Sequence, residues 1–284
     1  MISMAGKSVR RWWALFTLPV FAAFIIGFLV PFVMGIYLSF CKFSTVTDAK
    51  FAGLRNYRHV FSDPDFVHAL WFTVAFTIIT TLIINVVAFA IASMLTKAIR
   101  GSTIFRSVFF MPNLIGGIIL GYVWMLLLNG LLAHWGKSIT FSGTYGFWGM
   151  VALVSWQQIG YMMIIYIAGL QSLPTDVLEA AAVDGASASQ TLFRVTIPLM
   201  MPTITVCTFL TVTNGFKLFD QNLALTGGAP SYQSELLALN IFRTFYGRVG
   251  FEGVGQAKAV VFFVIVAVIA LIQNRLTTSK EVSA

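Results

Sequence analysis

Three acidic side chains are the first candidates for chemistry in this sequence. Asp176, Glu179 and Asp184 lie close together in one polar stretch. Carboxylates can act as general acid and base, and groups that include histidine or cysteine can bind metal ions. No histidine or cysteine stands at a spacing that would complete either site. The pattern predicts no catalytic residue and no metal site, which leaves a docking role or a solvated polar loop.

Nucleotide binding and thiol chemistry are also disfavoured. Gly136-Lys137-Ser138 resembles the end of a phosphate-binding loop, but Leu131 stands where the first glycine of that motif belongs. Cys41 and Cys207 lie at or inside apolar segments, far apart in sequence, and both are best interpreted as small packing residues. The sequence therefore predicts no nucleotide site and no reactive thiol.

The elements that carry these residues belong in a membrane. Hydrophobic residues make up 58% of the chain and charged residues only 10%, too few charges to coat a soluble fold of this length. The net charge is +8, but the basic residues never cluster beyond two neighbours. They flank apolar stretches instead, which indicates contact with anionic lipid headgroups and not with nucleic acid.

Six apolar segments are long enough to cross a bilayer, whose hydrocarbon core takes roughly 20 helical residues. They predict an all-α bundle of six transmembrane helices, because backbone groups in lipid must be paired within the segment. The first apolar run is too long for a signal peptide and is expected to stay uncleaved, with a kink at Pro19 or Pro31. The predicted spans cover residues 13–40, 70–95, 107–128, 147–168, 199–216 and 254–272.

A polar stretch at 171–198 interrupts these spans. Pro174 suits the first turn of a helix, where Thr175 or Asp176 can satisfy free N–H groups. Gly185 permits a sharp break, and Ser187 with Gln190 fits a capping box that opens a second helix. The stretch is predicted to form a helix–bend–helix with small side chains and a prominent carboxylate.

Two of the other connections carry recognisable local signals. Asp63 is expected to cap the second span, with Pro64 as its first residue. Gly227-Gly228-Ala229-Pro230 predicts a turn in the long connection before the last span. The 97–106 connection is short and basic.

The polar stretch resembles the cytoplasmic loop of permeases from ATP-binding-cassette (ABC) importers. Glu179-Ala180-Ala181, Gly185 and Val195-x-Ile197-Pro198 match that pattern. The likeness extends over nearly the whole chain and points to the carbohydrate-type permeases of the maltose and oligosaccharide group. Its other matches are Phe51-x-Gly53-Leu54-x-Asn56-Tyr57, Met111-Pro112 and Leu225-Thr226-Gly227-Gly228.

The resemblance implies a type I ABC-importer permease fold with a cytoplasmic coupling helix, which would seat in a cleft of an ATPase subunit. The residues expected to couple are Glu179, Ala180, Ala181, Asp184 and Gly185. The implied partners are a second homologous permease, two ATPase subunits and an extracytoplasmic sugar-binding protein. ATP and Mg would be bound by the ATPase, so this chain would be a transport subunit that is not itself an enzyme.

Polar residues at membrane depth suggest a path for the solute, because an idle polar group there is costly. The alternative for each is hydrogen bonding between helices, and Lys217 and Asp220 could neutralise each other on one helical face. Gly117-x-x-x-Gly121 permits close helix packing, within this chain or against a partner permease. The proposed path consists of Gln158, Tyr161, Asn214, Lys217 and Asp220; Asn85, Gln157 and Thr213 share the polarity.

Lys and Arg divide equally between the two faces, nine on each. Without Lys217 and Lys258, which border spans, the count is nine against seven and favours cytoplasmic termini, and the resemblance implies the same topology. We expect a multi-pass protein of a prokaryotic cytoplasmic membrane with both termini inside. The expected divisions are 1–68, the first span and its extracytoplasmic connection; 69–274, the transmembrane domain; and 275–284, a cytoplasmic tail. A stand-alone secondary carrier or channel for a small polar solute is the alternative. It is disfavoured because no internal repeat and no mid-span carboxylate are seen.

Overall fold

The computed structural model describes residues 13, 15, 17–96 and 101–278. The predicted basic loop at 97–106 is thus described only from Gly101 onward. The predicted tail at 275–284 is described only as far as Thr278, where the last helix ends.

The described chain is almost entirely helical, as predicted. A two-stranded antiparallel ladder, β1 (Cys41–Lys42) with β2 (Lys50–Phe51), is the exception, and a 3-10 turn at Val46–Asp48 joins its strands. The helices are α1 (Thr17–Leu38), α2 (Arg55–Ser62), α3 (Pro64–Leu95), α4 (Ser102–Phe110), α5 (Gly117–Ala133), α6 (Gly143–Gln171), α7 (Thr175–Val183), α8 (Ala188–Leu199), α9 (Met201–Phe216), α10 (Asp220–Leu225), α11 (Leu237–Gly247) and α12 (Glu252–Thr278).

Four helices, α1, α3, α6 and α12, are each long and apolar enough to cross a membrane. Two bent pairs bring the total to 6 spans: α4 with its following 3-10 turn joins α5 at 99°, and α8 joins α9 at 70°. The structure agrees with the predicted six spans if each bent pair is one span, and those at 107–128 and 199–216 are not single helices.

Proline and glycine explain both bends. Pro112 lies in the 3-10 turn Met111–Leu114, and Gly116 then adopts an extended conformation as the N-cap of α5. At the second bend, Met200 lies between Pro198 and Pro202. Proline removes a helical hydrogen bond and clashes with the preceding turn, so adjacent prolines or glycines favour a break. In α1, a π turn at Ile25–Leu29 precedes Pro31, where an irregularity was expected.

The predicted start of the second span is confirmed. Asp63 is the N-cap of α3 and its carboxylate accepts a hydrogen bond from the Asp65 N–H at 3.1 Å. Pro64 is the first helical residue, where its missing N–H costs nothing. The predicted turn after α10 is also present, with Gly227 and Gly228 at φ +55° and +86°.

The chain divides into two compact units. Unit 1 comprises the described residues up to Ser62 together with Ile241–Val261. In this unit the buried Asn56 amide donates to the carbonyl oxygens of Ser39 and Cys41, each at 2.9 Å. Unit 2 runs from Asp63 to Asn240 and resumes at Phe262. Its core lies where α3, α6 and α9 pack together.

Candidate functional site

The coupling segment, residues 171–198, begins with α7. Pro174, with φ −61° and ψ 122°, is the N-cap of this helix, and no side chain caps its free N–H groups. The expectation that Thr175 or Asp176 does so is wrong. Because Pro174 occupies the N-cap position, both residues fall inside the first turn, and there an acidic side chain still favours the positive end of the helix dipole.

The predicted bend after α7 is confirmed at Gly185, whose φ is +73°. The Gly185 N–H donates to the Ala182 carbonyl at 3.1 Å, and the Ala186 N–H donates to the Ala181 carbonyl at 3.0 Å. This pair of bonds is a Schellman motif, which needs a residue in the left-handed region and therefore favours glycine. The Ala180 carbonyl accepts from the Asp184 N–H at 2.9 Å.

A capping box opens the second helix of the segment, as predicted. The Gln190 N–H donates to the Ser187 hydroxyl at 3.3 Å, and the Ser187 N–H donates to the Gln190 side-chain oxygen at 2.8 Å. The two caps fix where α7 ends and where α8 begins. The short connection through Gly185 and Ala186 is thus locally determined.

The surface of the coupling segment is open to a partner. No residue of α7 is buried, and the predicted residues Glu179, Ala180 and Asp184 are all exposed. Val183 is 86% exposed and Phe193 on α8 is 67% exposed. Apolar side chains beside carboxylates, on a helix that the described chain does not cover, suit insertion into another protein's groove.

Two of the polar residues at membrane depth tie helices together within the chain. The Asn85 amide donates to the Thr211 hydroxyl at 3.0 Å, and its oxygen accepts from the Tyr166 hydroxyl at 2.7 Å. These bonds join α3, α6 and α9. For Asn85 the inter-helix alternative is therefore correct.

Gln157 also has internal partners. Its amide donates to the Ile115 carbonyl at 3.2 Å, at the break between α4 and α5. The Gln157 oxygen accepts from the Gln221 amide at 2.8 Å. Because a broken span leaves carbonyl groups without a helical partner, Gln157 satisfies a group that would otherwise be costly in lipid.

Three predicted path residues keep unused hydrogen-bonding capacity. Gln158 is buried, and its side-chain oxygen has no hydrogen-bond partner in the described structure. Tyr161, also on α6, and Asn214, on α9, are half-buried. Within the described residues, no side-chain hydrogen bond is found for either. Within the described residues, no hydrogen bond joins Gln158, Tyr161 and Asn214 to one another.

The suggestion that Lys217 and Asp220 share a helical face is wrong. Lys217 is the C-cap of α9, and Asp220 is the first residue of α10, so the two belong to different helices. Both side chains are exposed. Leu218 and Phe219 break the helix between them, so the three-residue spacing does not place them on one face.

The glycine pair on α5 packs inside this chain. A Cβ atom at Gly117 would lie 2.7 Å from that of Asp220, and one at Gly121 would lie 2.8 Å from that of Ala224. Helix α10 therefore lies directly against the glycine face. Of the two alternatives for Gly117-x-x-x-Gly121, packing within the chain is correct.

Residues 100–280 match the family model described as the inner membrane component of binding-protein-dependent transport systems. The chain belongs to this family. Two relatives are a probable starch degradation products permease, AmyD of Thermoanaerobacterium thermosulfurigenes, and the trehalose/maltose permease MalF of Thermococcus litoralis. AmyD is 41% identical over 283 residues, 95% of each chain. MalF is 28% identical over 263 residues, 89% of this chain and 88% of MalF.

Solved structures show the fold of this inner membrane component. A chain of a bacterial ABC transporter that imports the acidic polysaccharide alginate superposes with a TM-score of 0.78. The two are 20% identical, and the match covers 97% of this chain and 98% of the other. The predicted ABC-importer permease fold is thereby confirmed.

Several polar residues of the inner membrane component escaped sequence reasoning. Gln221 completes the Gln157 pair, and Asn222 is fully buried. The Asn222 amide donates to the Ser234 carbonyl at 2.8 Å and its oxygen accepts from the Leu236 N–H at 2.9 Å. The signal was present, because three consecutive polar residues, Asp220 to Asn222, follow an apolar span. Their partners lie beyond the reach of local patterns.

Proposed function

We propose that this chain is a permease subunit of an ATP-driven importer that carries a sugar or oligosaccharide across the cytoplasmic membrane. The observation that carries the substrate class is its 41% identity over 95% of its length with a permease named for starch degradation products. MalF of Thermococcus litoralis, named for trehalose and maltose, supports the same class. Sugars need hydrogen-bonding groups on their path, and the chain offers such groups at membrane depth.

The coupling segment is the proposed contact with the ATPase. Glu179 would pair with a basic group in the ATPase cleft, while the carbonyls of Ala180 and Ala181 hold the turn that aims the helix. Asp184 supports the proposal because a carboxylate at a helix C-terminus opposes the helix dipole. An exposed carboxylate that is unfavourable for its own helix is well suited to a cationic partner.

The substrate path is proposed by separating polar groups that form hydrogen bonds within the chain from those that do not. Asn85 and Gln157 already have partners, so they hold the helices together. Gln158, Tyr161 and Asn214 have capacity left for sugar hydroxyls. Lys217 and Asp220, both exposed where α9 ends and α10 begins, would form the mouth of the path.

The remaining assignments complete the proposed assembly. The protein would span a prokaryotic cytoplasmic membrane with both termini inside and the coupling segment in the cytoplasm. It would work with a second homologous permease, two ATPase subunits that bind ATP and Mg, and an extracytoplasmic sugar-binding protein. The division into 1–68, 69–274 and 275–284 stays a proposal, in which the middle part carries both the path and the coupling segment.

Purification of the tagged full-length chain from its native membrane tests the assignment. We expect an ATPase and a second permease to co-purify, and the sugar-loaded binding protein to stimulate ATP hydrolysis by the reconstituted complex. Uptake of labelled oligosaccharide into vesicles should require ATP. Uptake that an ion gradient drives without ATP, by the chain alone, would contradict the proposal in favour of a secondary carrier.

A further inference from the structure

Four exposed basic residues of unit 1 lie close to the end of the first span. Lys42 and Lys50 are on the β1–β2 ladder, and Arg55 and Arg58 are on α2. We call this set the juxtamembrane basic surface. None of the four is among the groups that hold the coupling segment or the proposed path.

The charges on this surface are arranged in like pairs. Lys42 and Lys50 are direct partners in the antiparallel register, so their side chains leave the ladder on the same side. Arg55 and Arg58, three residues apart on α2, are neighbours on one helix face. Like charges placed opposite each other destabilise a ladder, and like charges one helical turn apart destabilise a helix. An anion bound between them would relieve both repulsions.

The acidic group of the hairpin does not provide that anion. Asp48 uses one carboxylate oxygen to accept hydrogen bonds from the N–H groups of Ser44 and Thr45, at 3.0 and 2.9 Å. These bonds, the Thr45 one foremost, hold the pKa of Asp48 below its usual value, so it stays ionised in its capping role. The four basic side chains are thus exposed to solvent without an anion of the hairpin between them.

The position of the juxtamembrane basic surface along the chain indicates that it lies beside lipid headgroups. Helix α1 has 22 residues and is about 33 Å long, close to the roughly 30 Å of a bilayer's hydrocarbon core. Its last residue, Leu38, therefore lies near the headgroups. Lys42 follows within at most about 14 Å of chain. Asn56 on α2, bonded to the Ser39 and Cys41 carbonyls, holds Arg55 and Arg58 beside the same end of α1.

Apolar side chains accompany the charges. Phe51 is 71% exposed and Leu54 is 60% exposed, and they stand in sequence between Lys50 and Arg55. Exposed apolar residues interleaved with basic ones are typical of segments that lie in a membrane interface. Insertion of such a segment at the headgroup level is favourable, because the rings and aliphatic chains are removed from water and the cationic groups contact phosphate.

We propose that the juxtamembrane basic surface binds the phosphate headgroups of anionic phospholipids in the adjacent leaflet. One headgroup would sit between Lys42 and Lys50, and a second would be held by Arg55 and Arg58. Phe51 and Leu54 would enter the interface beside them. The surface would anchor the outer end of α1 at a fixed depth.

Spin-labelled lipids test this proposal on the full-length chain in phosphatidylcholine vesicles. We expect the protein to immobilise labelled phosphatidylglycerol several-fold more than labelled phosphatidylcholine. The preference for phosphatidylglycerol should fall at least twofold in K42Q/K50Q, and at least twofold in R55Q/R58Q, because each double variant removes two charges near the membrane surface. Lys50→Gln alone should also lower the preference. Lys137→Gln is its matched single-charge control, since Lys137 already donates to the Tyr145 hydroxyl at 2.9 Å, and it should keep the preference.

Thermal unfolding gives a second measurement that does not depend on labels. In pure phosphatidylcholine, Lys42→Gln should unfold at the same or a higher temperature than the wild type, because the repulsion from Lys50 is gone. Phosphatidylglycerol should then stabilise the wild type more than the variant, and this difference should shrink at high salt. These are substitutions of exposed side chains, and Arg58→Gln alone provides the same comparison if a double variant fails to fold.

Three results would overturn the proposal. One is an unchanged lipid preference in both double variants. Another is equal stabilisation of the wild type by inorganic phosphate alone, which would assign the surface to a free anion. The third is a lipid preference that survives while binding of the extracytoplasmic partner protein is lost, which would make the surface a protein docking site.

Discussion

At the scale of single residues, the useful distinction is between polar groups that have partners and polar groups that do not. From the sequence alone, Asn85 and Gln157 cannot be distinguished from Gln158 and Asn214. In the structure, the side chains of Asn85 and Gln157 form hydrogen bonds with side chains or carbonyl groups of other segments. A buried group without a partner costs free energy unless a ligand supplies one. Asp184 is a comparable case on the surface. Its negative charge at the C-terminal end of α7 is unfavourable for the helix dipole, and a cationic partner would offset that cost.

Replacement of Gln158 and Asn85 should separate solute binding from helix association. Gln158→Ala and Asn214→Ala should raise the KM for uptake by about two- to tenfold, since one hydrogen bond contributes about 0.5–1.5 kcal/mol. Asn85→Leu should instead lower stability by about 1–3 kcal/mol, because the Tyr166 hydroxyl loses its acceptor and the Thr211 hydroxyl loses the donor on α3. Uptake per purified complex and thermal unfolding are the two measurements. Normal KM values with reduced stability in all three variants would remove Gln158 and Asn214 from the path.

Charge reversal at Glu179 should uncouple transport. Lysine would place repulsion where attraction to the ATPase is proposed, so Glu179→Lys should abolish uptake and stimulated ATP hydrolysis while the chain still inserts. Glu179→Gln should give uptake and stimulated ATP hydrolysis between those of the wild type and those of Glu179→Lys. Ser189→Lys adds one positive charge at an exposed position of α8, the same change in net charge as Glu179→Gln, and serves as the control. If Ser189→Lys is equally inactive, overall charge and not the Glu179 contact controls coupling.

At the scale of elements, glycines decide how closely the helices approach. Gly160 on α6 lies directly against the backbone carbonyl of Phe109, at the end of α4. Gly117 and Gly121 accept α10 in the same way. These close contacts flank the break between α4 and α5. The hydrogen bond from the Gln157 amide to the Ile115 carbonyl stabilises the break itself.

Two alanine substitutions should have opposite effects on stability. Gly160→Ala should destabilise the protein by about 1–3 kcal/mol or more, because its methyl group overlaps the Phe109 carbonyl and backbone cannot move aside. Gly130→Ala on α5, with nothing within 4 Å of its Cβ position, should be neutral or stabilise by about 0.5–1 kcal/mol. Thermal unfolding of the purified variants measures both. A stable Gly160→Ala variant would show that α4 and α6 do not pack as described.

At the scale of the whole molecule, the chain combines a membrane domain with exposed segments of contrasting chemistry. The coupling segment is acidic and apolar, whereas the juxtamembrane surface of unit 1 is basic and apolar. In the proposed six-span topology these two segments would fall on opposite sides of the membrane. Each is proposed to face a different partner, an ATPase cleft in one case and lipid headgroups in the other.

Matched cysteine substitutions should report this topology. Val183 and Val249 are 86% and 93% exposed, so cysteine at either position is open to reagents. In a background without Cys41 and Cys207, Val249→Cys should react with a membrane-impermeant thiol reagent in intact cells. Val183→Cys should react only in inverted or opened vesicles. Labelling of both positions from one side would contradict the six-span topology.

Features encoded within a few consecutive residues were predictable from the sequence alone. The apolar spans, the Asp63 cap, the Gly185 bend and the Ser187–Gln190 capping box are all local, so residue type and spacing suffice to specify them. The family followed from the same short motifs. The cap of α7 failed because Pro174 displaced the expected residues by one position along the helix.

Only the tertiary structure decided which polar groups were satisfied and where the glycines packed. Asn85 finds Tyr166 and Thr211 on two other helices, and Gly117 finds α10, from segments distant in sequence. The helical period sets which residues share a face of one helix, but it says nothing about which helix will cover that face. A hydrogen bond or a close approach between helices depends on their mutual placement, and that placement is set by the packing of the whole domain.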